Sequence, residues 1–129
     1  MKIEHVAIWC MDLEKMRGFY EQYFGAVANQ KYSNHHKQFS SYFLTFESGP
    51  RLELMHKPLL ISPNVGESSS LKGFVHIAMS VGSIEKVNQL TERLRLDGSE
   101  IVGEPRWTGD GYYESVVLDP EGNRIEITI

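Results

Sequence analysis

The sequence predicts an α+β protein built from two βαβββ modules. Two observations favour this class. The chain repeats itself, since His5 and the residues after it match His76 and the residues after it at an offset of 71 residues. Each copy also shows one alternating apolar run, then apolar residues at helical spacing, then three more strand-like runs. A chain of 129 residues is long enough for both copies in a single domain, residues 1–129.

The first module, residues 1–57, is expected to open with a strand over 3–10 and to continue with a helix. Asp12 is the expected N-cap of that helix, and Gly25 is the expected stop. The strands expected after the helix cover 26–33, 38–47 and 51–57.

The second module, residues 73–129, repeats this order. Its first strand lies in the apolar run FVHIAM, which is typical of a buried strand, and its helix is expected between Ser83 and Gly98. The strands expected after the helix cover 100–107, 112–119 and 124–129. Residues 58–72, with two prolines and a serine run, are interpreted as a linker.

Composition excludes several classes of protein. The net charge is −4 and no run of Lys or Arg occurs, so a nucleic-acid partner is not expected. No apolar stretch has the length of a membrane span, and the first residues lack the pattern of a signal peptide. A single cysteine gives no disulfide framework. We therefore expect a cytoplasmic protein without a membrane partner.

Four ionisable side chains are expected on the strand face opposite the aliphatic residues. In RLELM, Glu53 alternates with Leu52 and Leu54, and successive strand side chains point to opposite faces. The four residues are His5, Glu53, His76 and Glu126. The residues leave two readings open, either two His–Glu ion pairs or one metal site, and buried charges of this kind are usually paired or bind metals. The nitrogen and oxygen donors suit Ni²⁺, Co²⁺ or Zn²⁺, and Fe²⁺ or Mn²⁺ are also compatible.

The stretches that carry these residues resemble the vicinal oxygen chelate superfamily, which includes glyoxalase I, bleomycin-resistance proteins and extradiol dioxygenases. The most specific stretches are HVAIWCMDLEKMRGFYEQYFG, RLELM, HIAMSV and LDPEGNRIEIT. The resemblance implies a glyoxalase-like fold, with two modules that form a cupped mixed sheet around a central metal. It implies that the metal ligands are His5, Glu53, His76 and Glu126, in an order similar to that of bacterial glyoxalase I.

The activity that the resemblance implies is that of a metal-dependent lyase (lactoylglutathione lyase-like). Its substrate would be the hemithioacetal of a 2-oxoaldehyde and a thiol, or a similar compound with vicinal oxygens. The metal would stabilise an enediolate, while a carboxylate moves a proton between adjacent carbons. Glu126 and Glu53 are the candidate bases, and the repeat does not separate their roles. Open alternatives are an epimerase, a dioxygenase, a thiol transferase, or a non-enzymatic binding or resistance protein.

Six further residues are predicted to contact the substrate. Trp9 and Lys57 stand where bacterial glyoxalase I usually has an arginine and an asparagine that hold glutathione. The identity of the thiol in the substrate therefore stays open. A core position for Trp9 and a solvated position for Lys57 are the alternatives. Residues 104–115 are either a lip over the pocket, with an arginine that meets an anion, or a plain hairpin loop. The six residues are Trp9, Met55, Lys57, Phe74, Arg106 and Tyr112.

The partners expected are a small-molecule substrate and a second copy of the chain. The homodimer is implied by the resemblance, and the metal site would lie within one chain or be shared between two. Arg51 and Arg124 are expected to be ordinary exposed arginines, with binding to the ligands as the alternative. His56 is expected to be structural or exposed.

Overall fold

The computed structural model describes residues 1–61 and 73–129. The chain divides into two compact units, and these ranges are their described parts. The described part of each unit holds one helix and one mixed sheet, so the predicted α+β class is confirmed. Most of the predicted linker 58–72 lies outside the described residues, and the division of one domain into two modules stays a prediction. Within the two described ranges, no helix has the length and apolar character needed to cross a membrane.

Residues 1–61 of the first unit contain one helix and five strands. In chain order these are β1 (His5–Trp9), α1 (Leu13–Phe24), β2 (Val27–Ala28), β3 (Tyr32–Asn34), β4 (Phe39–Thr45) and β5 (Arg51–His56). β1 is parallel to β5, and β5 is antiparallel to β4. β2 and β3 both pair with β4, on the side away from β5.

The predicted strand 26–33 is wrong in one respect, because it is interrupted. β2 and β3 pair with β4 in registers that differ by one residue. Between them, Asn29 donates its backbone N–H to the carbonyl of Phe43 over 3.0 Å. The side chain of Asn29, rather than its backbone, accepts the N–H of Phe43 over 2.8 Å. A side chain therefore takes one place in the ladder, and the strand resumes as β3 after a bulge.

In the second unit, residues 73–129 contain one helix and four strands. In chain order these are β6 (His76–Ser80), α2 (Ile84–Leu96), β7 (Ile101–Trp107), β8 (Tyr113–Leu118) and β9 (Arg124–Thr128). The sheet order is β6-β9-β8-β7, with β6 parallel to β9 and the other pairs antiparallel. This order matches the order β1-β5-β4 followed by β2 in the first sheet.

Both helices begin and end where local sequence predicts. Asp12 and Ser83 each accept a hydrogen bond from the backbone N–H three residues later, over 2.9 and 3.2 Å. These bonds satisfy N–H groups that have no partner within the helix. Gly25 follows α1 with φ +63°, and Gly98 follows α2 with φ +88°. Only glycine adopts such values at low cost, so both are effective helix stops.

Each helix covers one face of its own sheet. Leu52 and Leu54 of β5 are 4% and 0% exposed, and Ile125 and Ile127 of β9 are both fully buried. α1 packs on β4 and β5, and α2 packs on β7, β8 and β9. The aliphatic face predicted from alternation is thus the helix side. The alternate side chains of β5 and β9, which include both glutamates, lie on the other side, here termed the open face.

Candidate functional site

The first His–Glu pair lies on the open face of the first sheet. In the parallel ladder of β1 and β5, His5 is opposite Arg51 and Ala7 is opposite Glu53. His5 and Glu53 therefore occupy neighbouring rows of the same face. The distance from Nε2 of His5 to Oε2 of Glu53 is 3.8 Å. Two groups that are 48 residues apart in the chain are brought together by strand pairing within one unit.

The second pair is built in the same way on the second sheet. His76 is opposite Arg124, and Ala78 is opposite Glu126, in the parallel ladder of β6 and β9. Nε2 of His76 lies 3.2 Å from Oε2 of Glu126. The two units thus present the same two side-chain groups, one imidazole nitrogen and one carboxylate oxygen, at equivalent ladder positions.

The expectation of a buried strand in FVHIAM is wrong. β6 begins only at His76, while Phe74 and Val75 precede it and are 100% and 65% exposed. β6 is also an edge strand of its sheet, since β9 is its only partner among the described strands of that sheet. The side chains of both histidines are 40% exposed, and those of Glu53 and Glu126 are 15% and 22% exposed. In each pair, the carboxylate is more buried than the imidazole.

The two histidines differ in their second ring nitrogen. Nδ1 of His5 lies 2.5 Å from a carboxylate oxygen of Glu4. Since a carboxylate only accepts, Nδ1 is the donor of this bond and carries a ring proton. Arg51 donates from Nε to the other oxygen of Glu4 over 2.8 Å. The hydrogen bond with His5, and then that with Arg51, lowers the pKa of Glu4, while partial desolvation opposes this. The residue before His76 is Val75, which offers no such acceptor.

Arg51 is therefore more than an ordinary exposed arginine. Its guanidinium binds Glu4 and also lies 4.2 Å above the ring centroid of Phe43. Phe43 is opposite Glu53 in the β4–β5 ladder, and its ring stands edge-on to the imidazole of His5 at 5.4 Å. Glu4 and Phe43 do not figure among the sequence-predicted site residues. Glu4 could have been found as the acidic residue directly before His5. Phe43 could have been found from the antiparallel register that the turn before β5 sets.

Three of the six predicted substrate residues lie together on the same open face. Trp9 is opposite Met55 in the ladder, two residues beyond Glu53. Nζ of Lys57 lies 4.6 Å from the ring centroid of Trp9, which is a cation–π contact. Phe39 stands perpendicular to Trp9 at 6.2 Å, and Tyr32 lies 6.2 Å from Phe39. Trp9 is 45% exposed, so the alternative of a core position is wrong for this side chain.

The other three predicted substrate residues are more dispersed. Arg106 is opposite Glu114 in the β7–β8 ladder, on the open face of the second sheet. Tyr112 lies in the turn before β8 and is 54% exposed. That turn is closed by Thr108, whose Oγ1 accepts from the N–H of Tyr112 over 3.0 Å and whose N–H donates to its carbonyl over 2.8 Å. Residues 104–115 therefore form an ordered hairpin. Phe74 is fully exposed and precedes the strand.

The remaining histidines lie outside these pairs. Nδ1 of His56 lies 2.8 Å from the carbonyl oxygen of Cys10, so this ring has a structural role, as predicted. His35 and His36 lie in the turn between β3 and β4. Among residues 1–61 and 73–129, no three His, Cys, Asp or Glu side chains are grouped closely enough to bind a metal ion. Each unit therefore brings one histidine and one glutamate together.

The comparisons with known proteins agree with this architecture. The family model described as the Glyoxalase/Bleomycin resistance protein/Dioxygenase superfamily matches residues 2–127. A search of curated protein sequences gives no match. A glyoxalase family protein from Enterococcus faecalis is 22% identical, with a TM-score of 0.79 over 99% of this chain and 97% of its own. The trypanothione-dependent glyoxalase I of Leishmania major is 24% identical, with a TM-score of 0.76 over 99% of this chain and 86% of its own.

Glyoxalase I from Zea mays is 22% identical, with a TM-score of 0.79 over 98% of this chain. The match covers only 44% of the maize chain, so the present chain spans less than half the length of that enzyme. At these identities the likeness to solved structures shows the fold alone.

Proposed function

The chain belongs to the Glyoxalase/Bleomycin resistance protein/Dioxygenase superfamily, and from this premise we propose that it is a divalent-metal-dependent lyase of the glyoxalase I type. Its substrate in this proposal is the hemithioacetal of a 2-oxoaldehyde and a small thiol, or a similar compound with two vicinal oxygens. The proposal includes a cytoplasmic homodimer. The observation that supports the lyase assignment is the pair of equivalent His–Glu sites, one in each unit.

The donor chemistry of these pairs fits a divalent metal. One imidazole nitrogen and one carboxylate oxygen from each unit would together give four ligands, His5, Glu53, His76 and Glu126. This mixture suits Ni²⁺, Co²⁺ or Zn²⁺, and Fe²⁺ or Mn²⁺ are compatible with it. The pairs would join either within one chain or across a homodimer. A bound ion would supply Lewis acidity that stabilises negative charge on a substrate oxygen.

The proton transfer falls to a carboxylate of this chain. Glu126 or Glu53 would take the proton from the carbon beside the carbonyl and return it to the neighbouring carbon. Both carboxylates are mostly shielded from water, at 22% and 15% exposure, and each lies beside the histidine of its own pair. Trp9, Met55 and Lys57 share the open face with Glu53 and would contact the remainder of the substrate.

The test is turnover of methylglyoxal with a panel of thiols, using protein loaded with Ni²⁺, Co²⁺ or Zn²⁺. We expect activity with at least one thiol. Glu53→Gln and Glu126→Gln should each lower kcat, the one that acts as base by at least about 100-fold. Glu47→Gln is the matched control, since Glu47 is exposed and belongs to neither pair. Absence of turnover with every thiol and metal would refute the glyoxalase assignment.

A second candidate is another enzyme of the same superfamily, such as an epimerase or a thiol transferase. The observation that favours it is Lys57, which lies on Trp9 at the place where glutathione-holding residues occur in the bacterial glyoxalase I pattern. Assays of epimerisation and of thiol transfer on the same metal-loaded preparations distinguish these reactions. Binding of small molecules without turnover in any assay would instead support a non-enzymatic binding protein.

A further inference from the structure

Aromatic side chains lie beside Glu53 on the open face of the first sheet, and the proposed metal site does not use them. Trp9 is opposite Met55 in the β1–β5 ladder, and Met55 follows Glu53 by two residues. Tyr32 is opposite Ser41 in the β3–β4 ladder, and Ser41 is opposite Met55. These residues form one row across the sheet, about 7 Å along the strands from the row of Glu53.

The rings in and beside this row contact one another. The rings of Trp9 and Phe39 are perpendicular, with centroids 6.2 Å apart, and the centroids of Phe39 and Tyr32 are also 6.2 Å apart. Nζ of Lys57 lies 4.6 Å from the ring centroid of Trp9. Contacts on two sides thus orient the indole before any ligand is bound. Trp9, Phe39 and Tyr32 are here termed the aromatic wall.

Much of the aromatic wall is open to water. Trp9 is 45% exposed and Tyr32 is 53% exposed. Two half-exposed rings offer about 200 Å² of surface, whereas each partner in a stable protein interface contributes about 800 Å². An exposed apolar patch beside polar groups is typical of a ligand-binding site. The size of the patch therefore favours a small molecule over a second protein.

The equivalent row of the second sheet is polar. Ser80 is opposite Thr128, and Thr128 is opposite Glu114. Glu114 is in turn opposite Arg106. The two units therefore have similar His–Glu pairs, but the next row is aromatic in the first unit and polar in the second. An apolar portion of the substrate is thus expected on the first unit.

The aromatic wall is placed to meet the thiol portion of a hemithioacetal. In such a compound the oxoaldehyde portion carries both vicinal oxygens, which lie at the proposed site. The substituent on sulfur is the portion that extends beyond that site along the open face. One row of about 7 Å corresponds to a ring attached one or two carbons beyond the sulfur.

We propose that Trp9 is a specificity-determining residue, and that the aromatic wall binds an aryl group on the thiol portion of the substrate. The inference rests on the proposed function and names its substrate class, the hemithioacetal of an aryl-substituted thiol. Aromatic rings pair edge-to-face or offset at centroid distances of about 4.5–7 Å, which is the spacing within the wall. A ligand ring continues this arrangement and removes the exposed ring surface from water.

The kinetic test compares two methylglyoxal adducts whose thiols are similar in size. Phenylmethanethiol supplies an aryl ring, and cyclohexylmethanethiol supplies a saturated one. We expect kcat/KM to favour the aryl adduct by about 3-fold or more, since ring pairing adds to the gain from burial. Trp9→Leu should abolish this preference, and Trp9→Phe should retain it. An equal ratio in the wild type and Trp9→Leu would overturn the inference.

Trp107→Leu is the matched control for this test. Trp107 is 59% exposed and is opposite Tyr113, whose hydroxyl donates to Asn88 of α2. Trp107 therefore lies on the helix side of the second sheet, and its replacement should leave the preference for the aryl adduct unchanged. Loss of the preference in Trp107→Leu as well would overturn the assignment to the aromatic wall.

A second measurement needs neither turnover nor metal. The thioether 2-(benzylsulfanyl)ethanol, which has no thiol group to react, is titrated into metal-free protein while the indole Nε1–H resonances are followed by NMR. We expect a saturable shift at Trp9, at a several-fold lower concentration than with the cyclohexylmethyl analogue, and no shift at Trp107. Absence of a saturable shift at Trp9 would overturn the inference.

The two measurements separate the inference from the proposed lyase. No turnover with any thiol, together with an aryl-selective shift at Trp9, would refute the lyase and support the aryl site. Turnover without an aryl preference would support the lyase and refute the aryl site. Gel filtration tests the other occupant of the wall, a second copy of the chain. We expect Trp9→Leu to elute like the wild type, and a change from dimer to monomer would overturn the inference.

Discussion

Replacing Glu4 by Gln should weaken the binding of a divalent metal ion about tenfold. Glu4 does not belong to either His–Glu pair, but it accepts the Nδ1 proton of His5 at 2.5 Å and is itself held by Arg51. Partners of this kind orient the ligand and raise the basicity of its free nitrogen. Gln keeps an oxygen that can accept the same proton but removes the negative charge.

The magnitude follows from the exposure of the two groups. Loss of such a partner typically costs 10- to 100-fold in metal affinity. The side chains of Glu4 and His5 are 55% and 40% exposed, so water screens the charge and the lower end applies.

The assay is a Zn²⁺ titration in competition with a chromophoric chelator. Wild type, Glu4→Gln and the exposed control Glu47→Gln are measured side by side, and the control should match the wild type. A metal-independent readout is ¹⁵N NMR of the neutral imidazoles, where His5 should carry its proton on Nδ1 and should lose that preference in Glu4→Ala. Equal zinc affinities for Glu4→Gln and wild type, or no tautomer preference at His5, would refute this reasoning.

Three further results are expected. Glu14→Gln should destabilise the fold near pH 7 but not at low pH. The hydrogen bond from Lys31, and then that from Tyr42, lowers the pKa of Glu14 below its ordinary value of 4.5. The stabilisation by the Glu14 carboxylate is therefore complete above pH 4.5, and it is lost as the pH falls through the lowered pKa. Urea unfolding of both proteins from pH 7 to 3 measures this, and a constant difference would contradict it. Leu54→Ala should lower the free energy of unfolding by about 2–5 kcal/mol, since Leu54 is fully buried. Met55→Ala, on the open face, should lower it clearly less. Equal losses for the two variants in denaturant unfolding would contradict the assignment of the two faces. Added Zn²⁺ should raise Tm and EDTA should reverse the rise, while an unchanged Tm in calorimetry would contradict a metal site.

Local sequence was sufficient to predict the helices and the faces of the strands. The cap at Asp12 and the stop at Gly25 depend only on neighbouring residues, and both are confirmed. The side of β5 and β9 on which each glutamate lies follows from alternation alone. The break between β2 and β3 did not follow, because it depends on Asn29 replacing a ladder bond to a strand 14 residues away.

The site was predicted in part for the same reason. Strand pairing brings His5 to Glu53 and His76 to Glu126; alternation predicted only that these four side chains lie opposite the aliphatic face, with two His–Glu pairs or one metal site left open. Phe43 and Glu114 were not predicted, because each reaches the open face through an antiparallel register that alternation within one strand does not fix. Phe74 was expected to share the strand of His76, yet the strand starts after it. Apolar character in a short run therefore did not locate the end of an edge strand.

The central claim is that both His–Glu pairs bind one and the same metal ion. Zinc stoichiometry and affinity, measured for the wild type, Glu53→Gln and Glu126→Gln, test it most directly. The account predicts one high-affinity Zn²⁺ per chain, with a loss of about tenfold or more in affinity for either variant. Two independent ions per chain, or a variant of one pair that leaves the affinity intact, would contradict it.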